Sequence, residues 1–357
     1  MESVIDYKKE LSDLLEIVVR EGASDLHLSE GRQPNIRVAG SLVPLARKSV
    51  LKKEDTNALL NLMITSEMNE IFQKTKEIDF SYDFSGQGRF RGNAYFQQGH
   101  ISIALRLIPK QIKSVEDLKL PATLADFARR KQGFFLVVGP VGQGKTTTLA
   151  SMIELINEER AEHIVTIEDP VEYLYEQKKS IIDQREVHID TNDFSIALTE
   201  ALRQDVNVLL VGEMRNSETM SAAVTAAETG HLVFSTLHTN NAAQTIDRII
   251  DSFPAAQQDQ IRVQLASSLI GVFSQRLVPR ISGGLIPAFE LLIVNNAVSN
   301  LIREKRVHEI NTVIETSSEL GMIDMNRCLA DLVRRGEITI ESAYKYAFNP
   351  KLLERMI

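Results

Sequence analysis

Leu11, Leu14, Leu15, Val18 and Val19 recur at three- and four-residue spacing, so they share one face and predict an amphipathic helix that Gly22 ends. The period then drops to two. Asp25-Leu26-His27-Leu28 alternates as a strand does, Gly31 marks a turn, and residues 36–39 followed by Gly40-Ser41 read as one arm of a hairpin. Residues 52–62 return to helical spacing. Residues 79–82, 89–97 and 101–107 predict three antiparallel strands joined by glycine-rich turns. An α+β domain is therefore expected over residues 1–108 and a linker over 109–119, with 118–130 a connection that ends in a helix.

From Gly133 the pattern changes. Apolar runs at 134–138, 163–167, 206–211 and 232–235 alternate with helical patterns at 146–157, 194–203 and 218–228. That alternation predicts α/β architecture, a parallel sheet with crossover helices, in a second domain over 120–357. From Ala242 to the end the chain reads as mostly helical, with one interruption around 281–292. A length of 357 residues agrees with two domains rather than one.

A net charge of −8 gives no whole-protein footprint for nucleic acid, so that class of partner is not expected. The first ten residues are polar and mixed in charge, unlike a signal peptide, and no stretch approaches 18 uninterrupted apolar residues. The expected location is the cytoplasm, with any membrane attachment made through other proteins. Cys328 is the one cysteine, so neither an internal disulfide nor a four-cysteine zinc site can form. It falls in the apolar series Met325, Cys328, Leu329, Leu332, where a free thiol packs as a small hydrophobe.

The sharpest chemistry is Gly139-Pro140-Val141-Gly142-Gln143-Gly144-Lys145-Thr146, followed by Thr147. It satisfies G-x-x-x-x-G-K-[ST] in the strand–loop–helix setting that motif requires. Gly142 and Gly144 let backbone N–H groups converge on phosphate oxygens, and the helix N-terminus adds partial positive charge. Lys145 is expected to reach the β- and γ-phosphates of ATP, and the Thr146 hydroxyl to bind Mg²⁺.

Acids close two other strands, where ligands of open α/β sheets collect. Val208-Leu209-Leu210-Val211-Gly212-Glu213 delivers Glu213, placed to polarise an attacking water. Gly212 stands where a metal-binding Asp is usual, so metal contact from this strand would run through water. The strand at 163–167 runs into Glu168-Asp169-Pro170, with Glu172 beyond; Glu168 is the candidate for the Mg²⁺ and water side, and Asp169 is an alternative or a turn cap. Two of the seven histidines, His231 and His238, bracket the strand at 232–235, and either could sense phosphate. Arg89, Arg91 and Arg106 lie on predicted strands of the first domain. They form either a solvated basic face or a source of guanidinium for phosphoryl transfer.

With these residues in place, the chain resembles the type II/IV secretion ATPase superfamily and, within it, the PilT-type twitching-motility ATPases. The likeness runs over nearly the whole length: Ala23 to Leu28, the phosphate loop, Ile167-Glu168-Asp169-Pro170-Val171-Glu172, Val211-Gly212-Glu213-Met214-Arg215, and the two histidine segments around His231 and His238. Ala297 to Glu304 resembles a retraction signature, with Ser299 where Arg is expected, and Asn216 stands for a usual Asp. The resemblance implies a PAS-like first domain, a RecA-like second domain and a homohexameric ring. It implies ATP hydrolysis with Mg²⁺ that drives pilus retraction through an inner-membrane platform protein, at the cytoplasmic face of that membrane and with a possible paralogous partner ATPase. It makes Glu213 the catalytic acid, with Glu168, Glu228, His231 and His238 in support, and Arg91 and Arg106 the arginines that complete a nucleotide site at a subunit boundary. A ring ATPase moving DNA or secreted protein, or a weakly hydrolysing regulatory subunit, are the alternatives.

Overall fold

The computed structural model describes residues 6–38, 40–84, 86–108 and 111–357. Ala39 of the predicted hairpin arm and Pro109 and Lys110 of the predicted linker lie outside them, as do residues 1–5 and Ser85. The chain forms two compact units, one of Met1–Gln111 with Pro170–Leu174, the other of Ile112–Asp169 with Tyr175–Ile357.

In the first unit helix α1 (Tyr7–Arg20) is capped by the Asp6 carboxylate, which accepts from the Lys8 and Lys9 N–H groups. Strands β1 (Asp25–Ser29), β2 (Asn35–Val38) and β3 (Ser41–Pro44) precede helices α2 (Lys53–Asn61) and α3 (Ser66–Thr75). Strands β4 (Glu77–Phe84), β5 (Gly88–Gln97) and β6 (His100–Ile108) complete an antiparallel sheet of order β3-β2-β1-β6-β5-β4. Alternate residues of this sheet, among them Leu26, Leu28, Phe80, Phe90 and Ile103, bury against Leu14, Leu15, Val18 and Leu59 of the helices. The opposite face carries a cross-strand row, Ser81, Arg91, Arg106, Asp25 and Arg37, set by the register.

The second unit opens with α4 (Thr123–Ala128), β7 (Gly133–Val138), α5 (Lys145–Glu159), β8 (His163–Glu168) and β9 (Ile181–Glu186). Next come α6 (Phe194–Ala201), β10 (Val208–Val211), α7 (Ser217–Glu228), β11 (Leu232–Leu237), α8 (Ala242–Asp251) and α9 (Ala255–Ser268). Then follow β12 (Leu269–Pro279), β13 (Leu285–Ile293), α10 (Asn296–Arg303), α11 (Ile310–Thr316), α12 (Met325–Arg334), α13 (Ile340–Tyr346) and α14 (Pro350–Glu354). The sheet order is β13-β12-β7-β11-β10-β8-β9, parallel except for β13. It is covered on both sides: Phe134, Leu136 and Val138 of β7 enter one core and Phe135 and Val137 the other. Asn216 caps α7 by accepting from the Thr219 N–H at 2.9 Å. Met325, Cys328, Leu329 and Leu332 are buried together under the C-terminal helices, and burial pushes the Cys328 thiol up to about 11.

Two strands depart from expectation. The stretch over 269–279, read as helical, is β12, the strand beside β7, and the predicted interruption is its partner β13. A strand buried on both faces has no period-two signature, and here Ser274, Gln275 and Arg276 also break its apolar run. Edge strand β9 is also absent from the expectation, four of its six residues being polar.

Candidate functional site

The loop between β7 and α5 is built to hold a backbone shape that side chains would forbid. Gly139, Gly142 and Gly144 take φ of 145°, 76° and 77°. A Cβ at Gly139 would stand 2.6 Å from the Gln275 carbonyl oxygen. Pro140 and Val141 form the outer turn, and the Val141 side chain is 81% exposed, so it carries no packing role. Thr146 and Thr147 follow in the first turn of α5, the end of a helix whose partial positive charge favours an anion. Lys145 is buried. Its ammonium donates to the Gly139 and Pro140 carbonyls at 2.8 and 2.9 Å and lies 3.4 Å from His238 Nδ1.

Sheet order explains which acid meets this lysine. β11 lies between β7 and β10, so His238, just past β11, reaches both neighbours. Its Nε2 is 3.5 Å from Glu213 Oε2. An ammonium only donates, which assigns Nδ1 as the acceptor and leaves Nε2–H facing Glu213. Glu213 is also held by Arg215, whose Nε donates at 2.8 Å and whose Nη2 makes a second contact to the same oxygen. Arg215 continues to Asp169, 3.6 Å away. Glu213, Arg215, Thr236, His238, Asn240 and Arg248 line a cleft of about 500 Å³ at these strand ends.

The other predicted residues lie elsewhere. Glu168 ends β8, three strand spacings from β7, or roughly 14 Å. Its buried carboxylate accepts from Thr166 Oγ1 at 2.7 Å and faces Gln184 at 3.5 Å. Glu228 and His231 precede β11, so they sit at the opposite end of the sheet from the phosphate loop, about 20 Å along the strand. Glu228 accepts from Gln264 and Ser267 of α9. His231 places Nδ1 2.9 Å from the Ala226 carbonyl. Within one chain they do not join Lys145 and Glu213, because a parallel strand carries its two ends apart. In the first unit, Arg106 pairs with Asp25 at 3.0 Å and Arg91 with Glu172 at 3.4 Å, while Arg89 donates to Ser81 at 2.9 Å.

The structure gives one phosphate-loop residue a further part and adds others that the pattern did not single out. Gln143 turns out to be an anchor: its Oε1 accepts from the Leu277 N–H at 2.7 Å. Gln275 and Arg276 of β12 and Asn240 hold the surrounding loops. Gln143 and Arg215 were legible as motif positions. Gln275 and Arg276 were hidden in the run misread as helix. Among the described residues no group of three or more His, Cys, Asp or Glu forms a metal cage. The donor set suits Mg²⁺, which takes few protein ligands and completes its shell with phosphate oxygens and water; Thr146 would hold it.

A family model described as type II/IV secretion system protein matches residues 4–312. The chain is 43% identical over 347 residues to the type IV pilus retraction ATPase PilT of Pseudomonas aeruginosa, covering 96% of this chain and 99% of that protein. It is 45% identical over 321 residues to a twitching motility protein of Neisseria gonorrhoeae, covering 88% and 84%. The crystal structure of the pilus retraction motor PilT with bound ADP superposes with a TM-score of 0.90 at 43% identity, over 96% of this chain and 98% of that one.

Proposed function

This chain belongs to the type II/IV secretion system protein family, and we propose that it is an ATPase motor that drives type IV pilus retraction. The observation that carries this is the contiguous line Lys145, His238, Glu213 at the carboxyl ends of three adjacent strands. It joins a phosphate-binding cation to a strand-end carboxylate, the two groups that phosphoanhydride hydrolysis needs.

The loop amides and Lys145 bind the β- and γ-phosphates, and Lys145 exchanges its carbonyl partners for phosphate oxygens. Glu213 orients water for in-line attack, held in place by Arg215 on one oxygen and His238 on the other. Thr146 would hold Mg²⁺, which when bound would neutralise charge that builds on the transferred group. Arg91 and Arg106 complete the site across a homohexameric ring, and Glu168, Glu228 and His231 support it. The ring works on a platform protein at the cytoplasmic face of the inner membrane, with a paralogous ATPase as a second partner. No helix of the described residues is long and apolar enough to cross a membrane.

Steady-state turnover of the purified protein tests the assignment. Glu213→Gln should lower kcat by about a hundredfold or more while ADP binding stays near wild type. Wild-type turnover in that variant defeats the role of Glu213. A host carrying Lys145→Ala should lose pilus retraction, and normal retraction there defeats the motor reading.

A further inference from the structure

Three consecutive side chains of β12, Ser274, Gln275 and Arg276, are polar yet almost wholly buried, at 0%, 3% and 7% exposure. Ser274 is level with Val138, the last residue of β7, so Gln275 and Arg276 run on beside the phosphate loop itself. Buried polar groups persist where their hydrogen bonds are met, and here most lead to one of two loops, the rest going to Thr148 of α5 and to the Gln275 carbonyl of the strand itself.

Successive strand residues face opposite sides. On one side, Gln275 Nε2 donates to the Gln143 carbonyl at 2.8 Å and its Oε1 accepts from Thr148 Oγ1 at 2.7 Å. The Gln143 side chain returns the bond by accepting from the Leu277 N–H. On the other side, Ser274 Oγ donates to the Asn240 carbonyl at 2.7 Å. Arg276 Nη2 donates to the same carbonyl at 3.0 Å and to Asn240 Oδ1 at 3.1 Å. Asn240 lies two residues past His238. The strand thus grips the phosphate loop with one side chain and the His238 loop with the two that flank it.

We propose that β12 is a positioning clamp: Gln275 sets the phosphate loop, Ser274 and Arg276 set the loop bearing His238, and the rigid strand between them fixes the spacing of the two. The clamp presupposes the ATPase reading above and adds a division of labour to it. The side chains alternate, so neighbouring residues on one strand should have different kinetic signatures. Gln275 touches only the binding half. Ser274 and Arg276 hydrogen-bond to the loop that bears His238, and through it bear on Glu213; Arg276 Nη1 also lies beside Gly139, so Ser274 is the cleaner probe of that half. Misplacement of a reacting group by about an ångström is enough to cost up to a hundredfold in rate.

The experiment is steady-state ATPase kinetics on the full-length protein, with ADP titration and melting temperature for each variant. Gln275→Met, which keeps the volume and removes the bonds, should raise KM for ATP and Kd for ADP about tenfold with kcat within about twofold. Ser274→Ala and Arg276→Met should lower kcat about tenfold with KM within about twofold, and Arg276→Lys should recover part of that loss. If Gln275→Met fails to fold, Gln143→Met removes the partner bond from a partly exposed position and should raise KM and Kd in the same way. A wild type that hydrolyses ATP, with variants whose KM and kcat all move together in step with melting temperature, overturns the clamp and leaves the ATPase reading standing. A wild type that binds ADP without turning over ATP defeats the ATPase reading. In that case an unchanged ADP Kd in Gln275→Met overturns the clamp separately.

Discussion

Glu290 shows what single buried residues contribute around this site. It lies on β13 at 3% exposure and accepts from the Ala242 N–H at 2.8 Å, at the start of the helix that follows the His238 loop. Burial pushes its carboxyl up to about 7; the Ala242 bond and Arg276 pull the other way, and Asp324 and Glu315 add to the rise. The sign follows directly. Between the ordinary carboxylate range and pH 7 the folded protein keeps a proton that the unfolded chain has released, so stability falls as pH rises through this window and is level above it. At 1.4 kcal/mol per pH unit the loss from this one group is at most about 3 kcal/mol. Glu290→Gln keeps an acceptor oxygen for Ala242 and cannot ionise. Its urea midpoint relative to wild type should therefore improve steadily from pH 5 to pH 7.5. Parallel curves for the two proteins across that range would refute the shift.

At the scale of elements, β12 is where sequence and structure part. The phosphate loop, Glu213 and four of the parallel strands were readable because each strand is a short apolar run, three of them closed by a glycine or an acid. β12 was not, because Ser274, Gln275 and Arg276 put three polar residues in a row where a buried strand is expected to be apolar, and nothing local says that these groups are buried by the loops they hold. The two histidines were not told apart for a related reason. His231 and His238 are close in sequence, and only strand direction reveals that β11 separates them by its whole length. Packing leaves one test of β12 itself. Gly271 has no room for a side chain: a Cβ would meet the rings of Phe127 and Phe135 at 2.9 Å. Gly271→Ala must push one ring aside and should cost about 1–3 kcal/mol of unfolding free energy, read from denaturant midpoints. A neutral substitution would mean that the strand sits further from α4 than described.

At the scale of the whole molecule, the proposed role of Arg91 and Arg106 depends on which copy would supply them to a phosphate loop. Both belong to the first unit and are engaged there with Glu172 and Asp25. Both are also accessible, with Arg106 72% exposed at its side chain, and the buried Asp25 carboxylate keeps Arg37 and Ser24 as partners if Arg106 turns to phosphate. Mixed rings separate the possibilities by arithmetic. Take one chain with Lys145→Ala and another with Arg91→Ala and Arg106→Ala, each inactive alone, and let them co-assemble in equal amounts. If a site draws its arginines from its own chain, every site lacks one component and the mixture stays inactive. If the arginines come from an adjacent copy, a site needs an intact loop on one chain and intact arginines on the next. Each condition holds half the time, so activity should recover to about one quarter of wild type. ATP turnover against mixing ratio should then peak at equal amounts, because the product of the two fractions is greatest there. A flat line at zero places the arginines and the loop they serve in one chain, and the proposed sharing of sites around the ring fails.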